Sequence, residues 1–432
     1  MNRELKESFK ILKAVYFDNA YANIELNKVL RDKQENINYS LITKVVYGVI
    51  ERDIYLDYAT SSFVKPSTKP QIKLILKMGR YLKEEVSGIP DYTIVNELVN
   101  LSKTSGDRFV SGFVNATLKN IIKSNVKLPK EKTIDYLSIK YSYPKWIITE
   151  LLKTKSYEFV EELLKTELTT LTHIRILGGV ESFKLDLEKY NIEYQNTPLD
   201  FTLYVDYNAL LKYEDVFKNR YVVQGLPSLV CSMALDVKPN SQVLDCCAAP
   251  GGKSGVIAGL DKSITVTACD VHSHRVMLIE NYMKKLGLKN VNAIKQDATV
   301  FNPDWNEKFD YVLCDVPCSG IGVVNKKPDI LLNRTPNDLK EIVKIQKSIL
   351  ENNAKYVKSG GVLVYSTCSI MYEENEGVLK DFLKRHNEFE LTEIGLYGIK
   401  VENTNNMYTF YPNVSNTEGF FIGRLKKKWK FY

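Results

Sequence analysis

The 432-residue chain contains no CxxC pair, no internal repeat, no low-complexity tract and no apolar run near the roughly 18 residues a membrane span requires. Its seven cysteines are an odd number and all stand between Cys231 and Cys368. That pattern argues against a disulfide framework and against a zinc site, so no metal is expected. The opening MNRELKESFKILKAV is charged and amphipathic rather than an apolar leader. Neither secretion nor a membrane partner is expected, and reduced thiols point to a cytoplasmic protein. What is present, 44% hydrophobic and 26% charged residues, is the composition of a globular chain. At about 100–200 residues per domain, the length predicts two to four domains.

The net charge of +7 is concentrated in the leading third. Residues 1–127 hold 20 Lys and Arg against 14 Asp and Glu, an excess of six. A basic leading module suits an anionic partner, with nucleic acid ahead of membrane because no long basic amphipathic run is present. The bland reading of the same charge is a solvated surface.

Apolar residues recur at helical spacing from Glu4 to about Lys127, as in Phe9, Leu12, Val15 and Tyr16, which predicts an all-helical domain over 1–127. Further helix is expected over 128–165, read as a connector. Between 166 and 220 short β-type pieces, Thr172–Leu177 and Phe201–Val205, stand around Leu185–Tyr190 and predict a small α/β insert. From 221 to 432 short apolar runs alternate with helical stretches, the pattern of a doubly wound α/β sheet. The expected strands are Gln242–Asp245, Ile264–Asp270, Val291–Lys295, Tyr311–Asp315, Gly361–Tyr365 and Gly419–Leu425. Ligands bind beyond the carboxyl ends of such strands, so Asp245, Asp270, Asp297, Asp315 and Cys318 are expected to converge on one crevice.

The segment Val243–Ser254, VLDCCAAPGGKS, reads as a strand running through a glycine turn into a helix, a geometry that brings backbone close to a ligand. A phosphate-cradling loop requires a glycine where Cys247 stands, and the G-x-G-x-x-G of a dinucleotide site is missing. S-adenosylmethionine, with a carboxylate and a ribose but no phosphate, needs the turn without the full cradle. Asp270 then lies where ribose hydroxyls are held, and Asp297 can reach the adenine amine.

Two cysteines follow expected strands in small, turn-prone surroundings: Cys318 in DVPCSG and Cys368 in YSTCS. A lone cysteine is more often buried packing than a nucleophile, and Cys231, Cys246, Cys269 and Cys314 are read that way. The strand-end pair differs, because both members lie on the side where a substrate enters. A thiolate is what cytosine C5 chemistry needs: C5 becomes nucleophilic only after a nucleophile adds to C6.

LDCCAAPGGKS, DVPCSG, KKPDI and VYSTCS together resemble the motif series of the RNA cytosine-5 methyltransferases, the family that includes bacterial RsmB-type and eukaryotic NOL/NSUN proteins. Val46–Tyr58, IPDYTIVNELVNLSK at 89–103 and FVSGFVNATLKN at 109–120 are similar to the NusB-type helical RNA-binding module. That combination resembles the RsmB-type 16S rRNA enzymes in particular, over essentially the whole chain. The resemblance implies a NusB-like domain, a small RRM-like insert and a Rossmann-like catalytic domain. It implies 16S rRNA, naked or in an assembling small subunit, as partner. It makes Cys368 the nucleophile, Cys318 the residue assisting product release, and Asp315 the group that meets the pyrimidine edge near N3. Cys247, Ala248, Ala249, Pro250, Gly251, Gly252 and Lys253 would wrap S-adenosylmethionine, with Asp270, Asp297 and Asp315 completing its site.

The chain departs from that pattern in three places. A QD-x-AS type sequence is replaced by Gln224-Gly225-Leu226-Pro227-Ser228, which loses the acid; Leu331-Leu332 follows KKPDI where a basic residue and Trp are usual; and DGFF becomes Glu418-Gly419-Phe420-Phe421. These bear on RNA grip rather than on the cysteines. Two rivals stay open: an RNA-binding assembly factor on an inactive methyltransferase fold, and a methyltransferase of another substrate, either cytosine C5 in tRNA, other RNA or DNA, or protein. In a DNA enzyme the Pro-Cys residue, Cys318, would attack.

Overall fold

The helix-period apolar residues of the leading third become helices Asn2–Phe17, Ala22–Arg31, Tyr39–Glu51, Asp53–Ser61, Pro70–Glu85, Asp91–Ser102 and Val110–Lys123 in the computed structural model, which describes residues 2–31, 37–103 and 110–429. Pro70 starts the central helix, where its missing N–H costs nothing. That helix buries Ile72, Leu74, Ile75, Leu76, Met78 and Leu82, more than one face, so neighbours surround it. Close crossings are made by glycine: a Cβ on Gly48 would run into the Tyr81 ring, and one on Gly79 into Leu118. Lys77 and Arg80 on the same helix are buried too. Lys77 Nζ meets Asp53 at 2.8 Å and Asp57 at 3.1 Å, while Arg80 donates to the carbonyls of Ile121 (2.7 Å) and Ser124 (3.0 Å). Part of the basic excess of this third is therefore consumed inside it.

Residues 128–165, expected as a connector, supply helices Ile134–Tyr141, Lys145–Leu152 and Tyr157–Lys165 to the same compact unit, Met1–Lys165. Thr133 caps the first by accepting from Tyr136 N at 3.1 Å. Ser142 ends it in the left-handed region and accepts from Tyr55 N at 3.0 Å, a bond that fastens this stretch to the preceding helices. Val324–Arg334, assigned from sequence to the catalytic region, also groups with the helical unit, and Leu332 packs against its core. Leu332, one of the departures, thus serves packing in the helical unit.

The second unit comprises Thr166–Val323 and Thr335–Tyr432. It opens with a four-stranded antiparallel sheet, ordered Tyr194–Asn196, Thr202–Val205, Thr172–Ile176, Tyr221–Val223, over a core that includes Ile174, Phe183, Leu203 and Phe217. Tyr221–Val223 carries the insert past the expected end at 220.

The larger sheet has a parallel centre in the order Val291–Lys295, Thr265–Asp270, Gln242–Asp245, Phe309–Asp315, Val357–Thr367. Phe420–Lys427 adds antiparallel to the last of these, and Met407–Phe410, Glu402–Thr404 and Phe389–Thr392 extend that edge. Those three short strands are absent from the expected set because three or four residues are too few to display a period. The strand order reverses between Gln242–Asp245 and Phe309–Asp315, the switch point at which Rossmann-like sheets open a crevice. Among the described residues no helix is long and apolar enough to cross a membrane.

Candidate active site

A cleft of about 440 Å³ lies at that switch point, with Cys247, Asp270, Asp297, Asp315, Cys318 and Cys368 in its lining. Its floor is the turn after the central strand. Cys246 N donates to Leu313 O at 3.0 Å and Ala248 N to Cys269 O at 2.7 Å, which carries the turn across both neighbouring strands. Gly251 then reverses the chain at φ 108°, where a Cβ would meet Met283 Cε at 2.9 Å, and Gly252–Leu260 continues as helix. Of the residues expected around the cofactor, Cys247 and Ala249 line the cleft; Ala248 is buried beneath it.

The strand-end acids divide. Asp270 accepts from His272 N at 3.0 Å and meets Arg275 at 3.2 Å, and Asp297 Oδ1 accepts from Thr299 N at 2.9 Å and Oγ1 at 2.7 Å. Both acids face the cleft. Asp245, expected to join them, turns inward instead, 1% exposed, and accepts from Ser254 Oγ at 2.6 Å. Burial pushes its carboxyl up to about 6 against that hydrogen bond.

Lys253 leaves the turn toward the next strand. Its Nζ stands 2.6 Å from Asp315 Oδ2, while Ser366 Oγ donates to Asp315 Oδ1 at 2.7 Å. Burial works against the ammonium, but Asp315 outweighs it and the lysine pKa is raised. The Lys253–Asp315 pair joins segments 62 residues apart; no local motif signals it.

The two thiols meet at the mouth of the adjacent strands, Cys318 Sγ 2.8 Å from Cys368 Sγ, both free. The Cys318 hydrogen bond holds Cys368 below the ordinary thiol range despite burial, with Lys253 assisting. The same bond, with burial, pushes Cys318 well above that range. Of the two thiols, Cys368 is therefore the one that ionises more readily. Cys231, Cys246, Cys269 and Cys314 are buried.

Backbone contacts fix where Cys368 stands. Gly322 N donates to Cys368 O at 3.0 Å, and Gly419 N to Gly322 O at 2.7 Å. A Cβ on Gly322 would collide with Gly419 and with the Cys368 carbonyl, so glycine is required at this crossing. Glu418, one of the departures, lies over Gly225, another: its carboxylate fills the space a side chain at 225 would need. Glu374 was not among the expected residues, although the Ser after each cysteine is a signal, because both need an acceptor and share this one.

Residues 3–123 match the NusB family and residues 232–426 match 16S rRNA methyltransferase RsmB/F. A probable ribosomal RNA small subunit methyltransferase B of Bacillus subtilis is 32% identical over 95% of each chain. The chain belongs to the 16S rRNA methyltransferase RsmB/F family. A tRNA (cytosine(72)-C(5))-methyltransferase of Pyrococcus horikoshii is 37% identical over 49% of this chain and 53% of its own. The crystal structure of PH0851 shares the fold, with a TM-score of 0.82 at 23% identity over 98% of each chain. RsmB/F enzymes depend on S-adenosylmethionine, and the cleft fits it with two carboxylates, Asp270 and Asp297, beyond successive strands.

Proposed function

We propose that the chain methylates C5 of a cytosine in 16S rRNA through a covalent bond between Cys368 and C6. The observation that carries this reading is the 2.8 Å thiol pair on the rim of the cofactor cleft, with Cys368 as its more readily ionised member. Asp270 would hold the ribose hydroxyls and Asp297 the adenine amine, through an Oδ2 that its own loop does not use. S-adenosylmethionine supplies an electrophilic methyl group. The Cys368 thiolate adds to C6, and the electron pair displaced toward C5 and N3 makes C5 nucleophilic. Asp315 would meet the pyrimidine edge near N3, and the Lys253 ammonium 2.6 Å from it supplies the positive charge that offsets the negative charge developing there. After C5 is alkylated its proton passes to a water molecule, the C–H electron pair re-forms the C5–C6 double bond, and the C6–S bond breaks with its electrons returning to the Cys368 sulfur. Cys318, in contact with the departing sulfur, assists that release.

The full-length similarity to the small-subunit enzyme and the NusB match favour rRNA. About half of the chain, 49%, is 37% identical to a tRNA enzyme, so tRNA is the second reading. Purified protein with labelled S-adenosylmethionine and either 16S rRNA or tRNA, followed by bisulfite mapping, decides between them. Methylation of tRNA alone, or of neither, contradicts the proposal.

A further inference from the structure

Glu374 is fully buried, and its carboxylate accepts four hydrogen bonds from neutral donors. Ser319 donates through N at 2.7 Å and Oγ at 2.5 Å, Gln346 Nε2 at 3.0 Å, and Ser369 Oγ completes the set. A carboxylate has about four acceptor positions, so its capacity is filled. Ser319 follows Cys318 and Ser369 follows Cys368 in the chain. One carboxylate therefore grips both cysteine-bearing loops. Behind it, Tyr365 Oη donates to the Glu374 carbonyl at 2.6 Å, anchoring the grip to the strand that leads to Cys368.

Two loops that leave neighbouring strands do not hold a fixed distance by themselves. The Gly322–Cys368 backbone bond and a 3.2 Å contact between the Ser319 and Ser369 hydroxyls join them directly. Glu374 holds both of those hydroxyls, which fixes orientation as well as distance. We propose that Glu374 is a positioning residue that clamps Ser319 and Ser369 and so keeps the Cys318 and Cys368 sulfurs in contact. It reaches the reaction only through those two loops. This inference rests on the reading of the two cysteines as the reacting pair. Its charge is a lesser upward push on both thiols, so the clamp acts through position and not through charge.

The test uses full-length protein with Glu374→Ala, Glu374→Gln and the double variant Ser319→Ala/Ser369→Ala, which keeps the carboxylate but removes both hydroxyl handles. Iodoacetamide labelling of Cys368 in free protein is followed against pH by peptide mass, and kcat and KM are measured for RNA and S-adenosylmethionine. Misplacing a reacting group by about 1 Å costs on the order of a hundredfold, so Glu374→Ala is expected to lower kcat by about that factor with KM within about threefold. Its labelling midpoint should rise toward that of an ordinary thiol. Glu374→Gln, with the same shape, should recover about tenfold in kcat, and the double serine variant should shift labelling in the same direction as alanine. Glu374→Ala with wild-type labelling and kcat overturns the clamp. If that variant does not fold, an unchanged labelling profile in the double serine variant overturns it. Labelling needs no RNA, so a wild type that fails to methylate removes the functional reading while these profiles still decide the clamp.

Discussion

Cys318 Sγ and Cys368 Sγ lie 2.8 Å apart although 50 residues separate them in the chain. The contact follows from strand register. Phe309–Asp315 runs parallel to Val357–Thr367 with Asp315 opposite Ser366, so both loops start from one level of the sheet. At that distance one sulfur can donate to the other, and Cys368 is the more acidic of the two.

Removal of the donor should be visible in the free enzyme. Cys368 is held below the ordinary thiol range by the Cys318 hydrogen bond, so Cys318→Ala should move the midpoint of its alkylation–pH profile upward. Peptide-resolved labelling with iodoacetamide measures this; an unchanged or lowered midpoint contradicts the assignment of donor and acceptor.

Asp245 gives a stability prediction with a definite sign. Its folded pKa of about 6 lies above the roughly 3.9 of an unfolded aspartate, so the folded state binds more protons in that window and stability falls as pH rises through it. Above the window the full penalty applies, on the order of 3 kcal/mol. Asp245→Asn removes the charge and keeps an acceptor for Ser254. Thermal unfolding should show the variant more stable than wild type near pH 8, with the gain shrinking toward about pH 4.5.

Gly322→Ala places a methyl group against the backbone of Gly419 and Cys368, neither of which is a flexible side-chain end. Overpacking of this kind costs about 1–3 kcal/mol. Chemical denaturation should register that loss, and kcat should fall because the displaced backbone carries Cys368. Wild-type stability and kcat together would show that the crossing tolerates a side chain.

Asp270→Ala removes a carboxylate acceptor and leaves Arg275 without its partner. Hydrogen bonds to charged groups are worth about 1.5–3 kcal/mol, so S-adenosylmethionine affinity should fall about tenfold to a hundredfold. Calorimetry checks this, and unchanged affinity would move the ribose away from Asp270.

Local order was legible in the sequence where it depends on local pattern. Gln242–Asp245, Val291–Lys295 and Tyr157–Lys165 fold over the spans their apolar spacing indicates, and the glycine turn stands where VLDCCAAPGGKS puts it. Pairings between distant segments were not legible. Asp245 ends a strand as Asp270 does, but Ser254 on the following helix draws it inward. Lys253 reads as part of the cofactor turn, yet its long side chain reaches Asp315. Glu374 sits in MYEENE, which reads as an exposed acidic run until two serines on separate loops give it donors. Net charge misleads for the same reason, since Lys77 and Arg80 count toward a basic surface while lying inside the helical unit.

The most direct test of the covalent account is a denaturing gel of Cys318→Ala incubated with 16S rRNA and S-adenosylmethionine. A variant that can attack but is slow to release should accumulate a protein–RNA band that survives denaturant, and the further change Cys368→Ala should abolish that band together with methyl transfer. Intact methylation by the Cys368→Ala protein, or an adduct that persists without Cys368, would contradict it.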